Sequence, residues 1–222
     1  AWKLFRKTAY SSLYSYPRFT WQTVVPDQRR ISKIDLSDDY LQAIRLYASC
    51  ADELKSSELY RNDLIEFVSY YVAAKAENFY KQALKDDSEN RVLAAQRNLQ
   101  QTVDLLMDVD RLLASHPLYR LEEWVELARN SGTTLQEKDA YEANAKRLIT
   151  SWGGIQEDYA ARFWSGLIKD YYIPRIQLYF TKDRDKIREW EEQWITSPWS
   201  NSTTPFDDPV KAALNLIEKT NK

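Results

Sequence analysis

The chain has 222 residues, 44% of them hydrophobic and 29% charged, which is ordinary globular usage and excludes a disordered polymer. With 31 basic against 33 acidic side chains the net charge is −2, so no electrostatic ground exists for a nucleic-acid or anionic-membrane partner. No stretch approaches the ~18 uninterrupted apolar residues of a membrane span.

In chain order, the first predicted element is a helix over 1–12, with Trp2, Leu4, Phe5 and Leu13 apolar. Pro17 and Pro26 break the pattern, and the connection from Pro17 to Ser37 is long enough to suggest a functional role. A second helix follows Asp35 to Asp39 and carries Leu41, Ile44, Leu46 and Tyr47. From Ser57, the residues Tyr60, Leu64, Phe67, Tyr71 and Ala74 recur at helical spacing on one stripe, until the polar group Asp86-Asp87-Ser88. Val92, Ala95, Leu99, Thr102, Leu106, Val109 and Leu113 then keep a 3,4 spacing, the seam of a shallow-angle bundle. Two such helices joined by a short polar turn predict an antiparallel hairpin.

After Pro117, the residues Leu121, Trp124, Val125 and Leu127 predict one apolar helical face that closes at Gly132. Thr134 stands three residues before Glu137, the spacing of a capping box, and opens a helix through Tyr141, Ala145 and Leu148 to about Ser151. Trp152-Gly153-Gly154 interrupts it with half of the chain's four glycines. A further helix is expected through Tyr159, Phe163, Leu167 and Ile168 to Tyr172, with Pro174 kinking or dividing it before Ile176, Leu178 and Phe180. Helices over 183–196 and 209–219 complete the chain, the last with Pro209 in its first turn. The predicted class is all-α: an irregular helical bundle with a long antiparallel helix hairpin, one domain over 1–222 in preference to two subdomains.

Several kinds of chemistry lack their residues. One histidine and one cysteine, His116 and Cys50, leave neither a transition-metal cluster nor a His-based nucleophilic centre, and Cys50 has no partner for an internal disulfide. His116, before a proline at a helix junction, is read as a capping or packing residue. No glycine-rich phosphate loop occurs, so no metal and no cofactor are expected. Glycosidases use two carboxylates, but Asp38-Asp39, Glu122-Glu123 and Glu191-Glu192 are adjacent pairs pointing about 100° apart on a helix. They are read as solvated faces. No catalytic residue is therefore assigned within the chain.

Eight Trp and fifteen Tyr fit two readings, rings packed between helices or rings presented to a sugar. The segment Ser151 to Tyr159 is the place where the second reading concentrates. It sets a Trp before a glycine break and a Tyr one turn into the expected helix, beside the free N–H groups of a helix start.

The same segment carries a family likeness. Tyr141-Glu142-Ala143-Asn144-Ala145, Trp152-Gly153 with Asp158-Tyr159-Ala160, and Gly166-Leu167 with Asp170-Tyr171-Tyr172-Ile173-Pro174-Arg175 resemble, in order and spacing, the C-terminal helical domain of glycoside hydrolase family 89, the α-N-acetylglucosaminidases. The opening Ala1-Trp2 through Thr8-Ala9-Tyr10 and the block Tyr60-Arg61-Asn62-Asp63-Leu64 fit as well, so the likeness covers most of the chain. Ile176 stands where the family commonly has Trp, and the loop from Trp-Gly to Asp-Tyr is one residue shorter than in the animal enzymes. That shortening leaves open whether Ile155 or Gln156 faces the pocket.

The resemblance implies a retaining exo-hydrolase of terminal α-linked N-acetylglucosamine, whose two catalytic glutamates lie in a (β/α)8 barrel of the same polypeptide. This chain, which starts in a helical pattern without Met, would be a fragment of that enzyme lacking the barrel. It would pack on the barrel and complete the pocket, with Trp152 stacking on the sugar, Tyr159 donating a hydrogen bond and Ile155 in apolar contact. Family members are exported, to the lysosome in animals and to the periplasm or medium in bacteria. The other readings are an independent carbohydrate- or protein-binding helical module, and a purely structural domain.

Overall fold

The computed structural model describes residues 1–8, 10, 19–23, 38–152, 158, 160–181, 183–200 and 203–221. Its α-helices are α1 (Trp2–Lys7), α2 (Asp38–Ala48), α3 (Ala51–Leu54), α4 (Glu58–Ser88), α5 (Val92–Leu113), α6 (Leu121–Asn130), α7 (Leu135–Leu148), α8 (Ile173–Phe180), α9 (Ile187–Thr196) and α10 (Pro209–Lys219). Short 3-10 turns occur at Thr20–Gln22 and Arg184–Lys186, and a π-helical turn at Ile168–Tyr172 runs into α8. Among the described residues there is no strand, only an isolated bridge between Arg120 and Ser165. The all-α class is as expected.

The hairpin of α4 and α5 is the spine. Ser57 opens α4 as an N-cap, accepting from the Tyr60 N–H at 3.4 Å, and Asn90, at φ 59°, reverses the chain after Ser88. Asp86 is buried in the last turn of α4, where its carboxylate accepts from Gln82, Arg91 and, at 2.8 Å, from Asn98 on α5. The polar break is therefore also an internal tie. Leu64, Val68, Tyr71 and Val72 from α4 meet Leu106, Val109, Leu112 and Leu113 from α5 in one apolar cluster. Each such aliphatic side chain contributes roughly 1.5–3 kcal/mol on burial.

Around this spine, α10 lies along α4, where the Tyr71 hydroxyl and the Asn221 side chain are 2.8 Å apart. Phe5 of α1 stacks on Phe67 at 4.1 Å between ring centres, and Tyr40 of α2 donates to the Phe67 carbonyl at 3.1 Å. The turn at 20–22 is tied to α4 by Glu77, a buried carboxylate that accepts both the N–H and the hydroxyl of Thr20. A second hairpin, α6 with α7, packs through α7 onto α9. Lys146 is buried at that contact, donating to Glu142 at 3.2 Å and to the carbonyls of Trp194 and Ser197. Burial holds the Lys146 pKa below its ordinary value against the opposing pull of Glu142.

Several expected elements differ. Helix α1 ends at Lys7 rather than near residue 12, because the Thr8 hydroxyl donates to the Leu4 carbonyl and the Tyr10 N–H to the Phe5 carbonyl. Leu13 and the connection apart from 19–23 lie outside the described residues. On α6 the buried face is Leu121 and Val125 with Trp124 beside them, while Leu127 is 66% exposed, since 121, 124 and 125 share a face and 127 does not. Leu46 is exposed on α2 for the same reason.

No helix spans Phe163. Residues 161–164 are irregular and Ser165 pairs with the start of α6, its N–H donating to the Tyr119 carbonyl at 2.8 Å and its carbonyl accepting from Leu121 at 2.9 Å. Gly166 then turns the chain at φ 83°, where a Cβ would stand 3.2 Å from Leu121 and from the Trp199 ring. Pro174 does not divide the helix: the preceding π turn spreads the ladder that proline would otherwise clash with, and the helical run continues to Phe180. Of the carboxylate pairs, Glu191 is not solvated but buried, for a reason that lies at the candidate site.

Candidate functional site

Trp152 follows the end of α7, where the chain leaves the helix. Its N–H donates to the Arg147 carbonyl at 2.9 Å, its φ is 47°, and the residue is 38% exposed. A tryptophan in the left-handed region is costly, roughly 1–3 kcal/mol, and persists only where the surroundings over-determine it. Ile155 and Tyr159, the other two expected pocket residues, lie outside the described residues, as does Gln156. Asp158 is described and is buried, at φ 58°, with its N–H donating to the Thr150 carbonyl at 2.8 Å. That bond draws the far end of the junction back to α7.

Beneath the junction is a cluster of buried charge. Arg175 of α8 is 2% exposed, and its Nη1 donates to Asp158 and to Glu191, each at 2.9 Å. Its Nη2 donates to the Gln22 carbonyl at 2.8 Å, and its guanidinium lies over the Tyr171 and Tyr172 rings at 4.7 and 5.5 Å. The Tyr171 hydroxyl donates to Glu191 at 2.7 Å. Burial opposes the guanidinium charge, but the Asp158 and Glu191 carboxylates outweigh it, so Arg175 stays protonated; burial raises the Tyr171 pKa well above the usual phenol value.

Such a cluster can hold a backbone, but its carboxylates cannot act as acid and base on a sugar, since both are buried against one guanidinium. Among the described residues no group of three His, Cys, Asp or Glu could hold a metal. His116 packs as expected: the Leu118 N–H donates to its Nδ1 at 3.1 Å and Tyr119 meets its ring edge-on at 4.5 Å. A groove of ≈ 410 Å³ beside Phe206, Lys211, Asn215 and Lys219 runs along α10 and shares no residue with the junction.

Residues 1–219 match the family described as the Alpha-N-acetylglucosaminidase (NAGLU) C-terminal domain. The chain belongs to this family. Human α-N-acetylglucosaminidase is 29% identical over 154 residues, which is 68% of this chain and 21% of the human protein. The family 89 glycoside hydrolase of Clostridium perfringens, solved in complex with PUGNAc, superposes with a TM-score of 0.82 at 21% identity, over 98% of this chain and 29% of that one. A further form of the bacterial enzyme, in complex with its substrate GlcNAc-alpha-1,4-galactose, gives 0.81 at 20% identity. At that identity the likeness establishes the fold. This chain therefore corresponds to less than a third of the length of these relatives.

Asp158 and Arg175 are the residues whose buried pairing sequence reasoning missed. Both stand in the motifs that carry the resemblance, and a signal was available. Arg175 sits between Tyr171, Tyr172, Ile173 and Ile176, all of them buried, so its position along the helix places a charge in the core. A charge there requires partners. Which acids supply them could not be read from spacing, because Glu191 is 16 and Asp158 17 residues away. Among the described residues no helix is long and apolar enough to cross a membrane.

Proposed function

We propose that this chain is the helical accessory domain of an exported exo-α-N-acetylglucosaminidase, packed on a (β/α)8 barrel of the same polypeptide and lending the Trp152-to-Tyr159 junction to one wall of the sugar pocket. The reaction is hydrolysis of terminal α-linked N-acetylglucosamine with retention, the two catalytic glutamates being supplied by the barrel. The substrate of the bacterial relative, GlcNAc-alpha-1,4-galactose, has such a terminus.

The observation that carries this reading is Trp152, 38% exposed and held at a strained φ of 47°, at one end of a junction whose Asp158 is fixed by Arg175. A flat ring with a polar edge suits the apolar face of a sugar. Retention requires two carboxylates ~5–5.5 Å apart and facing the glycosidic bond, whereas Asp158 and Glu191 are both committed to Arg175. That commitment supports a reading in which the barrel supplies the two acids. Tyr159 as hydrogen-bond donor and Ile155 against the acetamido methyl complete the wall.

In the enzyme carrying its barrel, Trp152→Ala is expected to lower kcat/KM by about tenfold, roughly 1.4 kcal/mol of lost contact, with unchanged far-UV circular dichroism. An unaltered kcat/KM would remove Trp152 from the site. Saturable binding of N-acetylglucosamine to the isolated chain in calorimetry would favour the independent-module reading instead.

A further inference from the structure

Arg175 binds two carboxylates at one distance through one nitrogen, yet the two are not equivalent. Glu191 lies within the regular ladder of α9 and also takes the Tyr171 hydroxyl, so its backbone is placed by its own helix. Asp158 itself lies in a turn and not in a helix. Its φ is 58°, its side chain is held by Arg175, and its N–H is held by the carbonyl of Thr150. Thr150 is itself fully buried, its hydroxyl donating to the Lys146 carbonyl at 2.7 Å, and it stands two residues before Trp152. Arg175 therefore reaches, through Asp158, the Thr150 carbonyl, two residues along the backbone from Trp152. The opposite edge of the guanidinium is set by the Gln22 carbonyl and the Tyr172 ring, and the Tyr172 hydroxyl in turn donates to the Arg162 carbonyl at 3.0 Å.

We infer that Arg175, acting through Asp158, is a positioning residue for sugar binding: the pair sets the stance of Trp152, while the bond from the same guanidinium to Glu191 serves only the packing of α9. This rests on the reading of the junction as a pocket wall. Misplacing a binding group by about 1 Å is enough to cost up to a hundredfold in rate. Wall contacts act on bound substrate and transition state alike, so their loss falls on KM rather than kcat.

The test compares two isosteric neutralisations in the full enzyme, with a 4-nitrophenyl α-N-acetylglucosaminide as substrate. Asp158→Asn keeps an acceptor and tolerates positive φ, but weakens the charged bond to Arg175. Glu191→Gln does the same on the α9 side. Asp158→Asn should raise KM about tenfold with kcat within twofold of wild type, and Glu191→Gln should leave both unchanged even where it lowers Tm as much. Arg175→Lys, which cannot reach both carboxylates and the Gln22 carbonyl at once, should reproduce the KM effect if Asp158→Asn fails to accumulate. Equal kinetics for the two neutralised variants would overturn the inference, showing the cluster to be scaffolding only. So would an altered KM in Trp152→Ala beside an unaltered one in Asp158→Asn, which would leave the pocket-wall reading standing. If neither changes, both the reading and the inference fall.

Discussion

Asp110 is the buried acid whose surroundings say most about single residues in this chain. It is fully buried on α5 and accepts from the Gly166 N–H at 2.8 Å, the Lys169 N–H at 3.1 Å and the Thr203 hydroxyl at 2.5 Å. Burial outweighs these donors and pushes its pKa up to about 6 from 3.8. The folded state thus holds the proton more tightly than the unfolded chain. The contribution is fully present below about pH 4 and is lost as pH rises through about 6. Urea unfolding at a series of pH values should show stability falling across that window. Asp110→Asn, which keeps an acceptor for the two N–H groups, should flatten the fall, leaving the part due to Glu66 and Asp170, whose pKa values burial also raises. A profile unchanged by the substitution would mean that Asp110 titrates normally. Nothing local in the seam of α5 marked this residue, because its partners come from 166–169 and 203.

Among whole elements, those set by neighbouring residues were legible and those set by distant ones were not. The start of α7 belongs to the first kind: the Glu137 N–H donates to the Thr134 hydroxyl at 3.2 Å and the Glu137 carboxylate accepts from the Thr134 N–H at 3.0 Å. The Thr133 hydroxyl and the N–H groups of Thr133 and Thr134 together hold the Glu137 pKa down to about 2. Thr134→Ala should therefore cost about 1 kcal/mol in urea unfolding. The cap itself should persist above pH 4.5 and weaken only as pH falls towards 2. A Thr134→Ala protein as stable as wild type would show that α7 is held by Lys146 and Trp194 alone. The segment 160–166 belongs to the second kind. Its apolar spacing imitates a helix, but Ser165 pairs with α6 and Phe163 stacks on Tyr70 at 4.8 Å, contacts between residues far apart in the chain. Trp152 shared this fate in part: the glycine break beside it was visible, its support at Arg175 was not.

At the scale of the molecule, the α4–α5 seam was readable because it repeats over six turns, and it is also what the remaining helices have in common. One buried cluster contains Phe5 of α1, Ile44 of α2, Leu121 of α6, Ile176 of α8 and Leu216 of α10 together with Leu106, Val109 and Leu113 of the seam. The contact of α9 with α7 differs, resting on Lys146, Glu142 and the partly buried Trp194. If the chain is a single cooperative domain, a cavity in the seam must weaken both regions equally. Leu106 is fully buried on α5, so Leu106→Ala should cost about 2–5 kcal/mol. Far-UV circular dichroism follows all the helices, whereas tryptophan fluorescence weights the α6, α7 and α9 region that holds Trp124, Trp190, Trp194 and Trp199. Their urea midpoints should shift together. Midpoints that separate, with fluorescence left near its wild-type value, would divide the chain into a hairpin unit and a C-terminal unit joined through Asp110 and Arg175.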